Sequence, residues 1–229
     1  MSSGDRRVLA ERAGAALEGA APQDVLRWAA EQFGDRFALT SSMADAVLTT
    51  LAAEAIPGAE VIFLDTGYHF PQTLATRDRV AAELDVSVVN VRPKLSVAEQ
   101  NQTYGQSLYA SDPDRCCAMR KVEPLDRVLR GYDAWASGVR RDESPSRANT
   151  KVVGWDAKRE MVKVNPLACW TQAQVDEYAA ARGVIMNPLV ELGFTSIGCA
   201  PCTERPVPGS DSRSGRWSGT EKTECGLHV

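Results

Sequence analysis

Six cysteines in a chain of 229 residues carry most of its reactive chemistry: the adjacent Cys116 and Cys117, the Cys199-Ala-Pro-Cys202 pair, a lone Cys169, and Cys225 close to the last residue. Four thiolates delivered as two local pairs suit a tetrahedral metal ion or an iron–sulfur cluster, because each pair closes a short loop and folding joins the loops. Neighbouring side chains diverge by about 100° on a helix and face opposite ways on a strand. Cys116 and Cys117 therefore converge poorly on one small ion, whereas a cubane offers separate iron corners. The spacing favours a [4Fe–4S] cluster over zinc. Cys169, in Pro-Leu-Ala-Cys-Trp, reads as a small buried hydrophobe. Cys225 is left as a candidate nucleophile.

Disulfides would need an oxidising compartment. The N-terminal stretch is an Ala-rich, charge-studded helix pattern without the apolar run of a signal peptide, and no segment approaches membrane-spanning length. A soluble cytoplasmic protein is expected. The chain has a formal net charge of −4, yet Arg115 to Lys151 holds nine basic and five acidic residues. That local excess sits beside the first cysteine pair. A basic domain with interleaved aromatics is missing, so nucleic acid is not the expected partner, and a small polyanion fits better.

Two strand ends carry further polar groups: Thr40-Ser41-Ser42-Met43-Ala44-Asp45, leading into a helix, and Leu64-Asp65-Thr66-Gly67. In open α/β sheets ligands bind beyond the carboxyl ends of strands. The hydroxyls and backbone N–H groups of the first loop would face an anion at a helix N-terminus, although an ordinary capping turn would look the same. Together the two ends favour a nucleotide.

Around these residues, RFALTSS, AEVIFLD, VSVVNV, DAWASGV and MVKVNPL read as strands, interspersed with the helical patterns DAVLTTLAAEA, PQTLATRDRVAAEL and VEPLDRVLRG. This alternation predicts an α/β fold, a mostly parallel sheet with helices on both faces. TQAQVDEYAAARG is the clearest helix, with a Thr171/Gln174 capping box and Gly183 at its C-terminal stop. One domain is expected: a body over 1–183, and a loop-like, mobile C-terminal segment over 184–229 holding the second cysteine pair and Cys225. His69 reads as packed or hydrogen-bonded near a strand end. His228 could orient the tail or assist thiolate formation.

Several stretches together carry a family resemblance. Cys116-Cys117-Ala-Met-Arg120-Lys121, Gly138-Val-Arg140-Arg141-Asp-Glu-Ser144-Pro145-Ser-Arg147, Ile197-Gly-Cys199-Ala-Pro-Cys202-Thr, Arg213-Ser-Gly-Arg216-Trp217 and Lys222-Thr-Glu224-Cys225-Gly226-Leu227-His228 resemble the assimilatory adenylyl-sulfate reductases. These form the [4Fe–4S]-containing branch of the adenylyl-sulfate/phosphoadenylyl-sulfate reductase family. The similarity runs from about Phe37 to His228. Ser41 to Asp45 resembles the family's modified pyrophosphate loop on an adenine nucleotide α-hydrolase-like fold. It lacks the double glycine of ATP-splitting relatives, which argues against ATP hydrolysis.

The resemblance implies reduction of adenylyl sulfate to sulfite and AMP in sulfate assimilation. Cys225 would attack the sulfate sulfur to give an S-sulfocysteine, which reduced thioredoxin or a glutaredoxin-like donor would then release. Cys116, Cys117, Cys199 and Cys202 would hold the cluster. Lys121 would act catalytically between cluster and substrate, with His228 on the tail. Ser41, Ser42, Asp45, Asp65, Thr66, Gly67, Arg140, Arg147, Arg213 and Arg216 would bind the nucleotide. A homo-oligomer is also an expectation. Phosphoadenylyl-sulfate reduction, or use of both substrates, is the nearest rival. A tRNA-thiolating enzyme would need an intact ATP loop and an RNA surface. A non-enzymatic iron–sulfur or zinc redox sensor is the remaining alternative.

Overall fold

The computed structural model describes residues 1–207, 209 and 211–228. Six strands, β1 (Phe37–Thr40), β2 (Ala59–Leu64), β3 (Val86–Val91), β4 (Ala134–Ala136), β5 (Val153–Asp156) and β6 (Met161–Val164), form one sheet in the order β3-β2-β1-β4-β6-β5. All neighbours are parallel except β5, which runs antiparallel to β6 at the edge. The expected strands form as read. β5 went unforeseen, because Val-Gly-Trp-Asp interrupts its short apolar pattern with glycine and a charge.

Strand alternation splits the core in two. Phe37, Leu39, Val61, Phe63, Ala134 and Ala136 join the larger cluster with α1 (Ser3–Ala16), α2 (Pro22–Phe33), α3 (Val47–Ala55) and α9 (Gln172–Arg182). Ala38, Ile62 and Trp135 face the other way, against Leu125 and Leu129. Between α3 and α9 the chain forms α4 (Pro71–Glu83), α5 (Val97–Tyr104), α6 (Leu108–Ser111), α7 (Pro113–Cys117) and α8 (Glu123–Val128). Thr171 and Gln174 make the predicted capping box of α9, and Gly183 adopts φ 59°, ψ 40° beyond its end. The left-handed conformation there suits glycine.

The chain crosses from one side of β1 to the other after β3. The carboxyl ends of β1 and β4 thus flank the topological switch point where such sheets bind ligands. After Arg182 the described chain holds α10 (Pro188–Glu191), one short turn at Ala200–Cys202, and loops. Of segment 184–229, positions 208, 210 and 229 lie outside the described residues. Among the described residues no helix is long and apolar enough to cross a membrane.

Candidate active site

A cleft of about 520 Å³ opens at the switch point. Its walls combine the loop after β1 (Thr40, Ser41, Ser42, Asp45), the segment after β4 (Ser137 to Arg140), Arg147, the loop holding Arg213 and Arg216, and the chain end at Cys225, Leu227 and His228. Leu48, Leu125, Leu167, Val175 and Phe194 supply apolar lining. An apolar pocket with a few convergent polar groups is the usual form of a small-molecule site.

The β1 loop is held locally. Ser41 Oγ accepts from Met43 N–H at 3.3 Å, Asp45 Oδ1 accepts from Val47 N–H at 3.0 Å, and buried Asn187 Nδ2 donates to Met43 O at 3.0 Å. Asp45 therefore caps the start of α3. Burial pushes its carboxyl up from the ordinary range, against the opposing pull of the Val47 N–H and Arg140.

A second, smaller cavity is lined by Cys116, Cys117, Cys199 and Cys202, with Tyr68, Tyr109, Arg120, Lys121 and Trp217. Asp112 caps α7 through a 2.9 Å bond from Arg115 N–H, and the helix ends on the cysteine pair. A widened turn over Ala118–Val122 then separates the following side chains. Arg120 is buried and donates to Thr66 O and to Gln100 Oε1 at 2.8 Å. Lys121 instead lines both cavities. The second pair is pinned to the loop after β2: Ala200 N–H donates to Tyr68 O at 2.7 Å, and Thr66 Oγ1 lies 3.3 Å from Cys199 Sγ.

Gly67 completes this loop at φ 75°, where an added Cβ would sit 3.1 Å from both Arg120 Nη2 and Val97 Cγ2. Only glycine fits without strain. Gly198 lies directly against the Arg216 guanidinium, which would have to move to admit a Cβ there. Arg216 Nε is buried with no hydrogen-bond partner among the described residues.

All six cysteines are free thiols. Burial raises Cys116 to about 12, aided by its neighbours Cys117, Cys199 and Cys202, and raises Cys202 to about 11. Four soft donors around one cavity, two at the end of α7 and two on the 199–202 turn, suit a thiolate-ligated group such as an iron–sulfur cluster. Among the described residues, no three Cys, His, Asp or Glu side chains are arranged to hold a single metal ion.

The chain end is seated by ions. Arg147 grips the Glu224 carboxylate with Nε at 2.9 Å and Nη2 at 3.0 Å, while Arg213 reaches the same group at 3.2 Å. Burial works against the Glu224 anion, but both arginines outweigh it and hold the carboxyl below its ordinary value. Leu227 packs on the Trp135 face of the sheet, and its carbonyl accepts from Arg159 Nη1 at 3.1 Å. The His228 ring stacks on Trp135 at 5.8 Å and 12°.

Most of the residues singled out from sequence thus meet in one place. The cleft takes Ser41, Ser42, Asp45, Thr66, Lys121, Arg140, Arg147, Arg213, Arg216, Cys225 and His228. Asp65 and Gly67 do not line it. Asp65 is paired with Arg92 at 3.0 Å and accepts from Gly67 N–H at 3.1 Å, so this strand end shapes the loop. Thr66 faces Cys199 as well as the cleft. Arg140 is buried against Asp142 and Gln172. Arg141 turns away to Glu18 at 2.6 Å.

Cys169 is exposed, contrary to expectation: the chain turns at Leu167–Trp170, leaving its thiol 3.5 Å from Arg141 and Glu18. His69 is packed on Phe63 with Nε2 2.9 Å from Leu64 O, as expected. Sequence reasoning passed over Glu224 as a functional residue, although it stands in the terminal motif, and missed Lys163, whose signal was a charge inside the apolar run Met-Val-Lys-Val.

Comparison with known proteins bears on the family and the fold. Residues 36–205 match the family model of the phosphoadenosine phosphosulfate reductase domain. The chain is 58% identical over 222 residues to an adenosine 5'-phosphosulfate reductase of Streptomyces coelicolor, covering 97% of this chain and 94% of that protein. It is 53% identical over 223 residues to the Mycolicibacterium smegmatis protein of the same name, with the same coverage. Among solved structures it resembles the phosphoadenylyl-sulfate reductase of Candida auris in its phosphate complex (TM-score 0.73, 29% identity, 85% of this chain and 96% of that one). The FMN adenylyltransferase of Candida glabrata, at TM-score 0.56 and 12% identity over 90% of this chain and 76% of that one, shares the fold.

Proposed function

The chain belongs to the phosphoadenosine phosphosulfate reductase family, and from that membership we propose that it reduces adenylyl sulfate to sulfite and AMP through a covalent intermediate on Cys225, with thioredoxin as the thiol donor. The observation that carries this proposal is the meeting of Cys225 with Lys121, Arg147, Arg213 and Arg216 in the cleft that also holds the β1 loop. The orphaned Arg216 Nε is a donor awaiting an anion.

In the first step the Cys225 thiolate attacks the sulfate sulfur. The S–S bond forms as the S–O bond to the phosphate breaks, and AMP departs with that electron pair. Charge grows on the leaving phosphate, so fixed cations serve better than a general acid. A thioredoxin thiolate then attacks Cys225 Sγ, releasing sulfite and forming a mixed disulfide. The second thioredoxin thiol resolves this disulfide, so both electrons come from the dithiol. Release of the Glu224 and Leu227–His228 contacts would present Cys225 to that partner.

Cys116, Cys117, Cys199 and Cys202 would hold a [4Fe–4S] cluster. When bound, it supplies compact charge beside Lys121 and ties the α7 end to the 199–202 loop. Six cysteines without a disulfide and a reduced thiol donor suit a reducing, cytoplasmic setting. The preference for adenylyl sulfate over its 3′-phosphorylated counterpart is supported by the names of the bacterial relatives.

Intact mass after anaerobic incubation with either nucleotide tests the proposal. A sulfonate-sized adduct with adenylyl sulfate, absent in Cys225→Ser and erased by reduced thioredoxin, is expected. An adduct formed chiefly with phosphoadenylyl sulfate would transfer the protein to that activity, and no adduct with either would overturn the mechanism.

A further inference from the structure

Lys163 lies in β6, flanked by buried Val162 and Val164. Its Nζ is 3.1 Å from His228 Nδ1 and 4.8 Å from the centre of the Trp135 ring on which His228 stacks. Arg159 fixes the preceding carbonyl, so the imidazole is held on three sides. An ammonium has donors only. Facing one, Nδ1 must accept, and the ring proton must reside on Nε2.

A second proton on the ring is disfavoured. Burial is the main cause, and the cations Lys163, Arg147, Arg159 and Arg213 add to it, holding His228 well below the usual histidine range. The nearby carboxylate of Asp156 is committed to Arg159 at 2.8 Å and to Trp135 Nε1 at 3.1 Å. Burial lowers Lys163 to about 8, which leaves it charged at neutral pH.

We propose that Lys163 is a positioning residue that locks His228 in the neutral Nε2–H tautomer, so the terminal histidine enters the cleft as a hydrogen-bond donor and is not the base that deprotonates Cys225. Its chemical use rests on the sulfonucleotide assignment above. There the Nε2–H would donate to an anionic oxygen of the substrate. A charge inside an apolar strand thereby acquires a reason: it sets the tautomer of a residue some sixty positions away in sequence.

The chain has only two histidines, so nitrogen NMR of the holoprotein labelled at histidine, with His69→Gln to assign the signals, reads the tautomer directly. Between about pH 6 and 7, where Lys163 still carries its proton, His228 is expected to show an unprotonated Nδ1 and a protonated Nε2. In Lys163→Met the ring should mix tautomers and titrate closer to the ordinary value of about 6.5. Its rate of Cys225 sulfonation should fall about 10-fold or more, on the scale seen for outer partners of metal-bound histidines. Lys163→Arg should keep the Nε2–H signature. A wild-type His228 carrying its proton on Nδ1, or titrating near the ordinary value, would overturn the assignment even if Lys163→Met failed to fold. Wild-type protein that shows the tautomer but forms no adduct would support the role of Lys163 and reject the sulfonucleotide reading instead.

Discussion

The thiol cavity is held by main-chain hydrogen bonds and buried side chains, whereas the tail depends on arginines, paired with Glu224 and bonded to the Leu227 carbonyl, together with Leu227 packing and one ring stack. In the cavity, Arg120 ties the β2 loop to the turn after α7, the Ala200 N–H binds the Tyr68 carbonyl, and Gly67 leaves no room for a side chain. In the tail seat, Arg147 and Arg213 share one carboxylate and His228 lies flat on Trp135. Main-chain ladders and packing cost much to break. Largely buried arginines such as these can trade their carboxylate for another anion without being left unpaired. The first region therefore suits a permanent fixture, and the second suits the proposed mechanism, in which Cys225 meets two partners in turn.

The comparison can be broken most forcefully at the cavity. Cys199→Ser should remove the iron content and the visible absorption of the anaerobically purified protein. It should also lower the melting temperature by about 10 °C, from roughly 4 kcal/mol of lost binding linkage at 2–4 °C per kcal/mol. Unchanged iron and an unchanged transition would show that the four thiols are merely packed.

Glu224→Gln should act more weakly, by about 1–3 kcal/mol, because the arginines lose their ionic partner while the packing remains. Limited proteolysis should find the bonds around Cys225 cut faster and the body unchanged. Equal cutting rates would mean that the ion pairs do not hold the tail.

Acid should reproduce that substitution. The Glu224 carboxyl is held below its ordinary 4.5, so the ion pair contributes stability fully present above that pH and lost as pH falls through the lower folded value. Tail protection in wild-type protein should collapse in that window, and Glu224→Gln should show no such step. The smallest effect belongs to Cys169→Ser, an exposed thiol outside both regions, which should change stability by no more than about 0.5 kcal/mol and leave adduct formation intact. A large loss there would extend the reactive chemistry beyond the two regions compared.

Residue types and spacing alone were enough to recover the parallel sheet, the capping box of α9 and the two cysteine pairs that share one cavity, because period, caps and paired thiols are local patterns. Other features depend on what the fold brings beside each residue. Asp65, read as a nucleotide contact, lies outside the cleft lining and pairs with Arg92, and Cys169, read as core, is exposed by the turn at Leu167–Trp170. Burial is a property of neighbours, not of a residue's own type.

The chain's sequence by itself determined which groups could react: four thiols in pairs, one thiol near the end, and a concentration of cations. Only the tertiary structure decided their roles. It divided the basic residues between a buried strap at Arg120, a cleft wall at Lys121 and Arg216, and a tail clamp at Arg147 and Arg213. It also set Lys163 against His228, a contact across 65 positions. Charge and tautomer respond to distances of a few ångströms, and those distances come into being only when remote segments pack together.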